Sequence, residues 1–380
     1  MFPKKLKDKL ELRKANNTLR MLGAPVNHLI DFSSNDYLGF SKSQSIFNST
    51  AQYLKSQNIL ENGATGSRLL SGNHSLYKIL EAQLKTFYNS QSALVFNSGY
   101  DANIGFFSSV PQRGDIVLYD AYIHASIRDG IAMSHAKAYK FEHNSVTSLE
   151  ALLERFKSAS GNPAVYVVTE SVFSMDGDTP DLIRMANLCE LHQAYFVVDE
   201  AHAVGVFGNK GVGLVSFLNL ESLVFARIVT FGKALGCHGA AILGSKQLTN
   251  YLINFSRSFI YTTALAPHSL ATIYAAHCAL KTQNTSIGLH KNIAYFNKEV
   301  ERLNLQTTFI KSNSAIHCCV ISGNQKVKKT ANYIQELGYN VKAILSPTVP
   351  ENQERLRFCL HTYNTFQDIT NVLCALKKCL

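Results

Sequence analysis

No stretch of the 380 residues stays apolar for the ~18 positions a membrane helix needs, because Asp, Glu, His or Lys interrupts every candidate. The N-terminus MFPKKLKDKLELRK runs on into further charges and lacks the roughly 7–15-residue apolar stretch of a secretory signal. It reads instead as the opening of an amphipathic helix. The eight cysteines include no CxxC pair, only the neighbours Cys318 and Cys319, so neither a zinc spacing nor a regular disulfide framework is expected. That pattern suits a reducing cytoplasm. Internal repeats and low-complexity tracts are also missing, and the chain has to be read as unique elements.

What is present is a hydrophobic fraction of 46% beside a charged fraction of only 17%, a combination that excludes disorder and collagen-like sequence. At roughly 100–200 residues per domain, the length allows two or three domains. Lys and Arg total 37 against 27 Asp and Glu, a formal charge of +10. No Lys/Arg run of about 5–8 residues accompanies it. The excess gathers in the first 20 residues, which hold seven basic and two acidic side chains. An acidic partner surface accounts for it as well as a nucleic acid does.

Three stretches follow from the pattern. Residues 1–45 hold the basic helix and the turn-rich SSNDYLGFS. Residues 46–285 alternate helical patterns with the apolar runs ALVFNS, DIVLYD, AVYVVTES, AYFVVDE, ARIVTFG and AAILGS. Runs of that kind are buried on both faces, which predicts an α/β domain with a mostly parallel central sheet under helices. Residues 286–380 predict a smaller C-terminal α/β domain, with SAIHCCVIS, NVKAIL and LRFCLH as strands.

Ligands of such sheets sit at the carboxyl ends of the strands, and polar residues collect there in this sequence. AYFVVDEAH ends in Asp199, Glu200 and His202, and ARIVTFGKALG ends in Thr230 and Lys233. VVDEAH also matches the acidic strand end of nucleotide hydrolases, but those enzymes need an upstream GxxxxGK[ST] to hold phosphates. The chain has none, since its single Gly-Lys, Gly232-Lys233, comes after the acids and precedes Ala234. A strand-end Lys and a strand-end Asp, 34 residues apart, instead meet the needs of pyridoxal phosphate (PLP): an amine for a Schiff base and a carboxylate for the pyridine nitrogen. NSGYDAN opens a helix after a buried strand, so Gly99 and Tyr100 can offer N–H groups to a phosphate. His124 in YIHASIRDG can stack on a ring, and TESVFSMDGD supplies Glu170 and Ser174. Each residue alone reads as an ordinary loop charge, cap or turn; together, at successive strand ends, they point to a PLP site.

With those residues in place, the chain resembles the α-oxoamine synthases of the fold-type I PLP enzymes. The resemblance is carried over nearly the whole length by SSNDYLGFS, GATGSRLLSGNHSLYKILE, NSGYDAN, YIHASIRDG, VTESVFSMDGD, VVDEAHAVGVFG, TFGKALGCHGAAIL, RSFIYTTALAP, PTVP and RLRFCL. It implies Lys233 as the Schiff-base lysine, Asp199 on the pyridine nitrogen, His202 on the ring hydroxyl oxygen and His124 stacked on the ring. It implies Gly99, Tyr100 and Thr230 near the phosphate and Ser174 near the cofactor. Thr262 and Thr263 would reach the phosphate of a neighbouring subunit, making a homodimer, and Arg20 and Thr348 match substrate-contacting positions. TFGKALGCHGAAIL and FIYTTALAP point to the branch that condenses L-alanine with a pimeloyl thioester, carried by coenzyme A or acyl carrier protein. A glycine C-acetyltransferase or a synthase using a longer acyl chain is the alternative. No metal, nucleic acid or membrane belongs to this reading. One position departs: Leu345 stands where the branch commonly has an Arg. Either amino-acid binding is weak or another Arg holds the carboxylate, Arg357 of RLR being favoured and Arg20 next.

Overall fold

The computed structural model describes residues 2–20, 22, 28–157, 161, 163–282 and 284–380. Twelve strands are found among them: β1 (Ile30–Asp31), β2 (Ser92–Phe96), β3 (Ile116–Asp120), β4 (Lys137–Phe141), β5 (Val165–Glu170), β6 (Tyr195–Asp199), β7 (Val224–Thr230), β8 (Ala240–Gly244), β9 (Ile316–Val320), β10 (Tyr339–Asn340), β11 (Lys342–Ile344) and β12 (Arg355–Cys359). The chain divides into two compact units, Asp36–Ser174 with Thr179–Ile287, and Met1–Asn35 with Met175–Asp178 and Gly288–Leu380.

The larger unit is built on a seven-stranded sheet in the order β2-β8-β7-β6-β5-β3-β4. β7, β6, β5, β3 and β4 run parallel, while β8 is antiparallel to both β7 and β2. Alternate residues of β6 show why its sequence is apolar throughout. Phe196 and Val198 pack with Leu149, Met185 and Cys189 on one face, and Val197 packs with Phe106, Phe107 and Ile127 on the other. Each such side chain contributes about 1.5–3 kcal/mol by leaving water, so polar residues collect at strand ends, and one inside a strand needs a partner, as Arg227 within β7 has in Glu200. β4 was not among the expected strands. KAYKF is the sheet's edge and leaves Lys137, Ala138 and Lys140 exposed, so its sequence lacks the apolar run, and its lysines protect an open edge.

The smaller unit holds an antiparallel sheet, β11-β12-β9, and a parallel pair, β1 with β10. Helices Asn324–Glu336 and Phe366–Lys377 belong to it. Its first helix, Lys4–Ala15, forms where the basic stretch predicts one, yet buries none of its residues. Leu6 and Leu10 share a face but Leu12 falls on another, so the single apolar stripe of an amphipathic helix does not develop. Among the described residues, no helix is long and apolar enough to cross a membrane.

Candidate active site

Three neighbouring parallel strands of the larger unit each end in a buried acid: Asp120 on β3, Glu170 on β5 and Asp199 on β6. Glu170 and Asp199 are register partners. Asp199 Oδ1 accepts the Ala201 N–H at 2.9 Å, and its Oδ2 accepts from Asn103 Nδ2 at 2.9 Å. Glu200 faces elsewhere, accepting the Val215 N–H and pairing with the buried Arg227. The two acids of VVDEAH therefore serve different surroundings and make no paired metal-binding end, which removes the basis for a nucleotide-hydrolase reading.

Lys233 follows β7 and lies with Nζ 2.7 Å from His202 Nε2. The other ring nitrogen of His202 is 2.7 Å from the hydroxyl of Tyr37, which is fully buried. The histidine is thus clamped between a phenol and an amine. His124 caps helix Ala125–Met133, donating its backbone N–H to Glu170 Oε1 at 2.6 Å. Burial lowers the His124 pKa and Lys233 lowers it further, with the charge of Asp199 opposing. Burial, reinforced by Asp199, pushes the Glu170 carboxyl well above the ordinary carboxylate range.

At the same end of the sheet, helix Gly99–Phe107 begins with the Ser98 side chain accepting the Asp101 N–H. A Cβ on Gly99 would lie 3.5 Å from the Thr230 side chain, so the helix start sits directly beside that threonine. Tyr100 is half exposed and donates its hydroxyl to Asp129 at 2.7 Å. Asn97 binds Thr262 Oγ1 at 3.0 Å and the Thr263 carbonyl at 2.7 Å, bringing both threonines to this turn within one chain. Ser174 lies partly buried, four residues beyond the end of β5. A helix start bearing partial positive charge suits a phosphate, the Lys233 amine suits a carbonyl carbon, and Asp199 suits a basic ring nitrogen. The residues present fit PLP.

Three expected substrate residues belong to the smaller unit. Arg20 Nη2 is 3.4 Å from Thr348 Oγ1, so two of them are neighbours, both exposed. Arg357, on β12, is buried and donates to Asn35 Oδ1 at 3.0 Å, with Nη1 2.9 Å from Cys359 Sγ. Arg355, two residues away, is held by Asp176 and the Met175 carbonyl. Sequence reasoning did not single out Tyr37, Asn97, Asn103 or Ser126. A signal existed for each, since Tyr37 lies in SSNDYLGFS, Asn97 and Asn103 bound NSGYDAN, and Ser126 lies in YIHASIRDG.

The aminotransferase class I and II family matches residues 27–373. An 8-amino-7-oxononanoate synthase of Emericella nidulans is 40% identical over 98% of this chain and 95% of its own length. Among solved structures, a serine palmitoyltransferase variant from S. paucimobilis, bound to a PLP–myriocin aldimine, has a TM-score of 0.89 at 25% identity, covering 99% of this chain and 96% of that one. An 8-amino-7-oxononanoate synthase from Francisella tularensis has a TM-score of 0.75 at 27% identity, covering 92% and 97%. The chain belongs to the aminotransferase class I and II family and is a fold-type I enzyme with PLP as its cofactor. Within that family it falls in the α-oxoamine synthase group.

Proposed function

We propose that the enzyme condenses L-alanine with a pimeloyl thioester, releasing CO₂ and the free thiol carrier and yielding 8-amino-7-oxononanoate for biotin biosynthesis. The observation that carries this reading is the 40% identity to a synthase of that name, sustained over 98% of the chain. Bound PLP supplies an electron sink for the amino-acid carbon that loses a proton and its carboxylate. Lys233 would hold the cofactor until the amino acid's own amine takes its place, and the Lys233 amine so freed would take and return the proton at that carbon. Asp199 holds the proton on the ring nitrogen, His202 binds the ring hydroxyl oxygen, and Tyr37 fixes the His202 ring. His124 covers the ring face. Gly99, Tyr100 and Thr230 bind the phosphate, with Ser174 near the cofactor; Thr262 and Thr263 serve the partner subunit's phosphate in a homodimer. Arg20, Thr348 and Arg357 take the substrates, Arg357 holding the alanine carboxylate in the absence of an Arg at Leu345.

The test is mass spectrometry of products from PLP, alanine and a panel of acyl thioesters, with borohydride reduction and peptide mapping of the cofactor. The seven-carbon diacid thioester should give 8-amino-7-oxononanoate, and the adduct should map to Lys233. An adduct on another lysine would overturn Lys233 as the cofactor-holding residue. The higher TM-score to the serine palmitoyltransferase favours, as a second reading, a longer acyl donor; turnover confined to long-chain thioesters or to serine would establish that instead.

A further inference from the structure

Asn103 is buried on helix Gly99–Phe107, and its amide nitrogen donates in two directions, to Asp199 Oδ2 and to Ser126 Oγ, each at 2.9 Å. A carboxylate offers only acceptors, which sets the amide orientation. Ser126, also buried, continues the chain with its Oγ 2.8 Å from His124 Nδ1. Its backbone N–H lies 3.2 Å from the same nitrogen. A backbone N–H is always a donor, so His124 Nδ1 must present a lone pair, and the ring's proton must sit on Nε2. The Ser126 oxygen already receives the Asn103 N–H, which leaves its hydroxyl hydrogen for Nδ1. The bonds thus run in one sense from Asn103 to His124, with Asp199 tied to the same amide, while Glu170 holds the His124 backbone from the other side.

We propose that Asn103 and Ser126 are positioning residues that lock His124 as the neutral, Nε2-protonated tautomer and couple its orientation to that of Asp199. The functional part of this rests on the reading of His124 and Asp199 as cofactor contacts. A ring held by two donors on Nδ1 keeps one rotation about its side-chain bonds, so one flat face is presented. Asp199, the only charged member of the chain of bonds, is held by a donor that shares its nitrogen with that ring's anchor. The burial that lowers the His124 pKa acts in the same sense, since a second ring proton would have to displace the Ser126 donors.

The experiment is nitrogen-15 NMR of histidine-labelled holoenzyme, with His124 assigned by its loss in His124→Gln, for wild type, Ser126→Ala and Asn103→Ala. Wild type should show a hydrogen-bonded, unprotonated Nδ1 and a protonated Nε2. In Ser126→Ala the Nδ1 signal should move toward that of an unbonded imidazole nitrogen, and alanine α-proton exchange should slow roughly three- to tenfold, as expected for one lost hydrogen bond. Ser126→Thr, which keeps a hydroxyl, should restore both. Should Asn103→Ala fail to fold, the serine pair decides alone. A protonated Nδ1 in wild type, or an Nδ1 signal and exchange rate unmoved in Ser126→Ala, would overturn the proposal. Absence of a Lys233 adduct in wild type would instead overturn the cofactor reading, and the nitrogen signals would still decide the tautomer.

Discussion

His277 lies wholly buried on helix Pro267–Thr282, its Nδ1–H donating to the Ile273 carbonyl at 2.8 Å and its Nε2 accepting from the Tyr88 hydroxyl at 3.0 Å. Burial holds its pKa down at about 4, against 6.5 for an ordinary histidine. Between those values the unfolded chain takes up a proton that the native protein refuses, so this contribution to stability is intact above about pH 6.5 and lost as pH falls toward 4. His277→Gln should therefore flatten the pH dependence of urea unfolding in that window by up to ~1.4 kcal/mol per pH unit. An unchanged slope would show that other groups set it. At Arg357 the expectation concerns substrate. Arg357→Ala should leave the cofactor spectrum unchanged while weakening the alanine-induced shift by ~1.5–3 kcal/mol, the range for hydrogen bonds to charged groups. A titration that superimposes on wild type would turn attention to Arg20.

Helix Phe366–Lys377 opens with a capping box in which Thr365 Oγ1 accepts the Asp368 N–H and the Asp368 carboxylate accepts the Thr365 N–H. Behind that cap, Ile369, Val372, Leu373 and Leu376 are fully buried, so the first turn aligns an apolar stripe. Thr365→Ala removes the cap without opening a cavity, because Thr365 is exposed. A loss of about 1 kcal/mol in unfolding free energy is expected. Chemical denaturation that shows no loss would mean the stripe alone fixes the helix start. Elements that bury both faces, such as β5, β6 and β7, were legible as continuous apolar runs. β4 was hidden because an edge strand lacks that run, and the two-residue β1 and β10 are too short to carry any pattern.

Across the whole chain the charge of +10 is unevenly spread, and helix Lys4–Ala15 keeps every residue it carries at the surface. Such a basic surface steers an acidic partner at low ionic strength. If the acyl donor arrives on an acidic carrier protein, kcat/KM with that thioester should fall more steeply with salt than with the coenzyme A thioester. Equal salt dependence for the two donors would leave the charge with a solubility role only.

From the sequence by itself one could read the buried parallel sheet and the polar residues at its carboxyl ends, because a strand buried on both faces tolerates unpaired polar side chains only where it stops. Asp199, Lys233, His124 and the helix start at Gly99 became candidates this way, each adjacent to an apolar run. What only the tertiary structure decided is which groups meet. Tyr37 reaches His202 across 165 residues, and Asn103 reaches Asp199 across 96. Neither separation leaves a periodic trace in the chain. The same holds for the divergence of Asp199 and Glu200: adjacent residues at a strand end face different surroundings, Asn103 on helix Gly99–Phe107 for one and Arg227 on the neighbouring strand β7 for the other.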